Sequence, residues 1–217
     1  MRTESLKVFL TGSGNHTLEP FMQRSGRKQA IAMDENTVIN ETSINEESIS
    51  ESEFNEIFAI MEASFPVSEL RTRSGQQALL DQPNYHLYTS KDTEGQILAF
   101  LAAWELPELR FIEHIAVNPQ RRSGGIGRKL MSSYLMHSDK PVLLEVEPPD
   151  GELEQRRIGF YERLGFYLNP YDYMQPPLRE GQADLPLRIM TYPEPVTMKE
   201  FLHFRDVLYT EVYGVCI

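Results

Sequence analysis

The chain holds 217 residues, 41% of them hydrophobic, which suffices for one sizeable α/β core and excludes a mostly disordered protein. Its formal net charge of -11 argues against general binding to a nucleic-acid backbone. No run approaches the ~18 apolar residues that span a bilayer, no secretory pattern opens the chain, and the single cysteine, Cys216, cannot form an intrachain disulfide; a reducing cytoplasm without membrane contact is the expected location.

Residues 1–36 are net basic and lack a sustained hydrophobic period beyond Leu6–Leu10, so they are expected to be an extension to one folded unit over residues 37–217. Val38–Ile44 fits a first strand. Ser50 followed by Glu53 is a capping box, and Phe54, Ile57, Phe58 and Met61 then form one helical stripe that Pro66 ends. Tyr85–Ser90 and Gln96–Trp104 read as a hairpin turning at Glu94-Gly95, the second strand apolar enough to be central. Leu109–Val117 is the next strand, stopped by Asn118-Pro119. A helix from Ile126 to His137 buries Ile126, Leu130, Tyr134 and Leu135. Val142–Glu147 is a short strand, and Leu153–Leu164 a helix closed by Gly165. Strands from Phe166 onward and over Leu187–Tyr192 follow, separated by a loop at Tyr171–Pro186. Thr197 with Glu200 is a second capping box, starting a helix with Phe201, Phe204 and Leu208 on one face. The alternation predicts a single-domain mixed α/β sheet.

Charge is distributed unevenly. Residues 34–62 hold nine acidic side chains and no Lys or Arg, whereas Arg121, Arg122, Arg128 and Lys129 crowd one turn. That turn reads Arg122-Ser123-Gly124-Gly125-Ile126-Gly127 and joins a strand to a helix. The first amides of a helix lack internal partners and carry partial positive charge, and glycines let a phosphate approach them. The Walker loop does not fit, because Gly127 is followed by Arg128-Lys129, and a dinucleotide fingerprint would need glycine where Leu130 stands. Taken alone, the turn fits a diphosphate site or a tight connection.

A second motif stands at the right distance: Arg157-Ile158-Gly159-Phe160-Tyr161-Glu162-Arg163-Leu164-Gly165-Phe166. With Ile115-Ala116-Val117-Asn118-Pro119 and the glycine turn before it, the chain resembles the GNAT acetyltransferases over residues 38–168. The resemblance implies a bent, mostly antiparallel sheet flanked by helices, splayed between the Leu109–Val117 and Val142–Glu147 strands to take acyl-CoA. The backbone of Ile115, Ala116 and Val117 would line the pantetheine arm, with Ile115 and Val117 pairing to it. The amides of Arg122, Ser123, Gly124, Gly125, Ile126 and Gly127 would take the pyrophosphate. Many relatives carry Asn where this chain has Glu154, and an ionised glutamate cannot donate to the pantetheine as that asparagine does.

Acetyl transfer to an amine requires loss of the ammonium proton, polarisation of the carbonyl and neutralisation of the departing thiolate. Direct attack needs no protein nucleophile, and the chain has neither an internal cysteine nor a glycine-flanked serine elbow. Glu113 interrupts the apolar run Phe111–Val117 and is the first candidate base, on the expectation that partial burial raises its pKa toward neutrality; a surface glutamate paired with a cation fits the same pattern. His114 points to the opposite face if the strand is regular and is a second, weaker base candidate on the substrate side; a satisfied structural histidine fits the same place. Glu145 and Glu147 share one face of the next strand and can border the acceptor site or supply the base. Tyr161 corresponds to the aromatic hydroxyl that lies near the CoA sulfur in the family, the candidate acid. Gln155, Arg156 and Arg157 read as helix decoration, and Tyr171–Pro186 as a loop able to wall the acceptor pocket. The expected function is N-acetylation of a primary amine with acetyl-CoA as co-substrate and no metal. A non-catalytic acyl-CoA-binding sensor or interaction module is the alternative. The apolar face of the last helix leaves docking on its own domain or in a homodimer open.

Overall fold

The computed structural model describes residues 49–121 and 124–216. The expected extension over residues 1–36 and the strand at Val38–Ile44 lie outside the described residues, as do Arg122 and Ser123 of the glycine turn.

Helix α1 spans Glu51–Ser64 and opens on the capping box, with Ser50 accepting from the Glu53 amide and the Glu53 side chain returning to Ser50 N. Its stripe of Phe54, Ile57, Phe58 and Met61 is buried as the spacing requires, joined by Ile60. A 3-10 turn at Val67–Glu69 and a short helix α2, Arg73–Ala78, follow; neither has enough apolar periodicity to be read from sequence.

Among the described residues, seven strands form one sheet: β1 (Tyr85–Lys91), β2 (Ile97–Glu105), β3 (Arg110–Val117), β4 (Val142–Val146), β5 (Tyr167–Leu168), β6 (Tyr173–Gln175) and β7 (Leu185–Tyr192). Their order is β1-β2-β3-β4-β7-β5, with β6 also pairing β7, and every pairing is antiparallel except β3 with β4. The Tyr171–Pro186 segment is therefore not all loop: Tyr173–Gln175 pairs with Leu185–Leu187 as a short hairpin. Its three residues are too few for alternation to show.

Three more helices follow among the described residues: α3 (Ile126–Leu135), α4 (Glu152–Glu162) and α5 (Met198–Glu211). The sheet separates two cores. On one face Phe54, Met61, Phe201 and Leu208 from α1 and α5 pack on Phe100, Trp104, Phe111 and Leu143. On the other, Leu130, Tyr134 and Ile158 from α3 and α4 pack on Leu101, Ile112, Leu144 and Met190. The apolar face of α5 thus docks on its own sheet.

One buried cation locks β3 to α3. Arg110 is fully buried and donates to the carbonyls of Tyr134 at 2.8 Å and Ser138 at 2.9 Å, where α3 ends. The helix C-terminus carries partial negative charge and unpaired carbonyls, which a guanidinium satisfies. Among the described residues no helix is long and apolar enough to cross a membrane.

Candidate functional site

The parallel pairing of β3 with β4 is short. It joins Arg110, Ile112 and the residue between them to Val142–Leu144 and then stops. Beyond that point, among the described residues, β3 continues as Glu113–Val117, paired with β2, and β4 continues as Glu145–Val146, paired with β7. The strands part, and a cleft opens between them, lined from β3 by Glu113 and His114, from β4 by Glu145, and by Glu147, Arg157 and Tyr161.

A bulge decides what faces this cleft. Across β2, Ala102 pairs with His114 while Ala103 pairs with Ile112, so Glu113 is the extra residue. A bulge breaks the two-residue alternation of a strand and re-aims its side chains. Phe111 and Ala116 accordingly face the α1/α5 core and Ile112 and Ile115 the α3/α4 core, while Glu113 and His114 both turn to the α1 side. The regular-strand expectation that placed His114 opposite Glu113 fails for this reason. His114 stacks edge-on against Phe65 just after α1, and its Nε2 donates to the Glu69 carbonyl at 2.8 Å. Its Nδ1 is then the acceptor nitrogen, 3.9 Å from Glu113 Oε2, and among the described residues neither atom has a hydrogen bond of ordinary geometry, the Trp104 indole lying beside Glu113.

Glu113 differs electrostatically from the sequence expectation. Burial by itself raises its pKa, but the Arg71 guanidinium pairs with Oε1 and, with His114 adjacent, holds the carboxyl below its usual value. Burial keeps His114 below the ordinary histidine value, so it is neutral. Glu145 is the opposite case. Burial pushes its carboxyl up to about 7, against the opposing effect of hydroxyls from Tyr173 and Tyr213, with Glu113 and Glu69 adding negative charge nearby. Tyr213 Oη lies 2.8 Å from Oε1 and 2.9 Å from Oε2 of Glu145. Glu147 pairs with Arg157 at 2.5 Å. Arg157 is thus part of the cleft wall, whereas Gln155 and Arg156 make local contacts to Pro149 and Glu152.

Tyr161 projects from α4 into the other core, between Phe160 and Phe166. Burial pushes its hydroxyl up to about 12, so it stays protonated. The cleft therefore passes through the sheet, with carboxylates on the α1/α5 side and a phenol on the α3/α4 side.

The glycine turn opens α3. Gly124 and Gly125 have φ of 73° and 68°, the left-handed region that favours glycine, and Gly125 is the N-cap. A Cβ on Gly127 would meet Val117 Cγ2 at 3.1 Å, so the helix start packs against the end of β3. Asn118 N donates to Leu98 O, and Val117 and Ala116 pair with Ala99 and Phe100. Alternation of the antiparallel ladder then turns the amides of Ile115 and Val117 away from β2, toward the side where β4 has parted. The Glu154 carboxylate folds back over the N-cap Gly151, away from any donor role. Among the described residues no group of three or more His, Cys, Asp or Glu is placed to hold a metal ion.

The model of the acetyltransferase (GNAT) domain matches residues 83–168. A solved Bacteroides thetaiotaomicron protein, named as an acetyltransferase of the GNAT family, is 32% identical with a TM-score of 0.70, the match covering 76% of this chain and 94% of that one. The chain belongs to the GNAT acetyltransferase family. Within it, YjbC of Bacillus subtilis (strain 168), an acetyltransferase by name, is 32% identical over 104 residues, 47% of this chain and 52% of YjbC. The chain thus spans about half the length of that curated relative. NAA60 of Arabidopsis thaliana, solved in complex with acetyl-CoA, shares the fold at 17% identity and a TM-score of 0.51, covering 66% of this chain and 94% of that one.

Sequence reasoning named Glu113, His114, Glu145, Glu147 and Tyr161, and all five line one cleft. It named Tyr173 only as an apolar contact of the Tyr171–Pro186 segment and did not find Arg71 or Tyr213; these three decide how the carboxylates behave. Each comes from a distant segment, and none sits in a pattern that marks it.

Proposed function

We propose that this GNAT protein transfers an acetyl group from acetyl-CoA to a primary amine by direct attack. The observation that carries this reading is the through-sheet cleft, with Glu145 on one side and Tyr161 on the other. The amides of Ile115 and Val117 are free on the gap side to pair with a pantetheine arm. The left-handed glycines before α3 leave its first amides open to a pyrophosphate.

The acceptor enters from the α1/α5 side, where, among the described residues, Glu113 Oε2 (beside the Trp104 indole) and His114 Nδ1 are two buried acceptor atoms without a hydrogen bond of ordinary geometry. An ammonium carries three donors and satisfies both. Glu145, titrating near neutrality, takes the proton that leaves the ammonium, since a base works best with a pKa near the operating pH. Glu113 is held ionised by Arg71 and serves to attract and orient the amine. The freed nitrogen lone pair attacks the thioester carbonyl carbon; as the tetrahedral intermediate collapses, the nitrogen gives its second proton to solvent water, the C–S bond breaks, and the neutral amide and the thiolate depart. A hydroxyl held up to about 12 gives a full proton to a thiolate only uphill, because thiols titrate near 8.5. Tyr161 therefore stabilises the leaving sulfur by a hydrogen bond rather than by complete transfer.

A thiol-release screen with acetyl-CoA against a panel of amines tests the reading. CoA release matched by acetylation of one amine supports it. Saturable CoA binding with no release from any amine would assign the chain to a non-catalytic acyl-CoA-binding role.

A further inference from the structure

We infer that the turn after α5 is part of the catalytic site, with Tyr213 a positioning residue that holds the Glu145 carboxylate at the cleft. This rests on the acetyl-transfer reading above.

Helix α5 ends at Glu211, and its last turn is fixed by several bonds. Val212 N donates to Leu208 O at 2.9 Å, Tyr213 N to the same carbonyl at 3.2 Å, and Val215 N to Tyr209 O at 2.8 Å, around Gly214 with φ 66°. This is the closure that a left-handed glycine allows at a helix C-terminus. Val212, Leu208 and Phe201 are buried in the α1 core, so the turn is anchored to the sheet.

Two consecutive residues of this turn reach the two cleft carboxylates by separate routes. The Val212 carbonyl accepts from Arg71 Nη2 at 3.2 Å, and Nη1 of that same arginine pairs with Glu113. The Tyr213 hydroxyl bonds Glu145 directly. A tyrosine hydroxyl can donate to an ionised carboxylate and accept from a protonated one. It therefore holds Glu145 in place before and after the carboxylate takes a proton. Burial and the neighbouring Glu145 keep the Tyr213 hydroxyl itself protonated.

The groups around Glu145 come from every adjoining element. Tyr173 from β6 lies beside the same carboxylate, outside ordinary hydrogen-bond geometry. Tyr209 stands between Tyr173 and Tyr213. Glu113 with Arg71 faces it from β3, Glu69 from the turn after α1, and β7 places Ile189 opposite and Leu187 in the cleft lining. Glu147 and Arg157 pair with each other further along the cleft. Of these groups, Tyr213 makes the two short contacts.

The test is Tyr213→Phe, which keeps the ring and leaves the Val212 backbone contact intact. The Glu145 carboxyl is followed by side-chain carbon NMR in the full chain, without acetyl-CoA or acceptor, and thermal unfolding confirms the fold. Loss of a hydrogen bond to a charged group should raise the Glu145 midpoint by roughly one unit. With an amine identified by CoA release, the acid limb of kcat/KM should move up by the same amount, and the rate at high pH should fall several-fold because the carboxylate is no longer held in place. An unchanged Glu145 midpoint in the folded variant overturns the inference. The titration needs no turnover, so it decides the role of Tyr213 separately from the amine screen, whose failure would overturn the acetyl-transfer reading instead.

Discussion

Arg71 and Glu113 form a buried ion pair, their side chains only 12% and 4% exposed, although Arg71 lies in the turn after α1 and Glu113 at the bulge of β3. The pair separates two acids that look equivalent in sequence. Glu113 is neutralised by a guanidinium, while Glu145, on the neighbouring strand, meets only tyrosine hydroxyls and other acids. One is held charged, and the other is free to change its charge near neutral pH.

Removing Arg71 should leave Glu113 buried without its cation. Arg71→Met is expected to lose about 3–5 kcal/mol of stability at pH 7, measured by urea unfolding. The sign follows from a depressed pKa: the Glu113 contribution is present above the unfolded value near 4.5 and is lost as pH falls through the folded one. The difference between wild type and variant should therefore shrink below pH ~4. The double variant Arg71→Met/Glu113→Gln should recover much of the loss.

Glu145 should act on stability with the opposite sign. Its folded pKa is about 7 and its ordinary value 4.5. The unfolded chain ionises first, so the contribution is fully present below about 4.5 and is lost as pH rises to about 7. Glu145→Gln should flatten that decline in a series of denaturant midpoints across pH, relative to wild type.

The outline of the fold was legible because its signals are local. Both capping boxes, the stripe on α1, the glycine turn and the proline stops each depend on a few neighbouring residues, and each marks an element that is present. The cleft was legible in part for the same reason, since strand alternation put Glu145 on the face opposite Leu144. The bulge was not, because a single extra residue in β3 leaves the apolar run Phe111–Val117 unchanged and appears only in the register with β2. Arg71 and Tyr213 were not, and Tyr173 was legible only as an apolar contact, because their importance lies in which distant carboxylate they meet. Arg110 begins a strand and shows no sign in sequence that it caps α3.

At the start of α3, Gly125→Ala would place a side chain at φ 68°. Left-handed backbone costs an L-residue roughly 1–2 kcal/mol, and the turn should shift to relieve it. Acetyl-CoA affinity, measured by calorimetry, is expected to fall several-fold. Gly95→Ala, at φ 82° in the β1–β2 turn, should cost similar stability and leave that affinity unchanged.

Tyr161→Phe should lower turnover by roughly tenfold, within the strength of one hydrogen bond to a charged atom. Acetyl-CoA affinity should stay near wild type, because the ring and its contacts with Phe160 and Phe166 remain. Single-turnover kinetics, which report the chemical step, are the measurement.

The central claim is that Glu145 takes the proton of the acceptor amine. It is tested most directly by the pH dependence of kcat/KM for wild type and Glu145→Gln, with acetyl-CoA and an amine that elicits CoA release. Wild type should show an acid limb near 7, and the variant should lose that limb together with about 10²–10⁴-fold in rate. A Glu145→Gln protein that keeps both the limb and the rate would contradict the assignment.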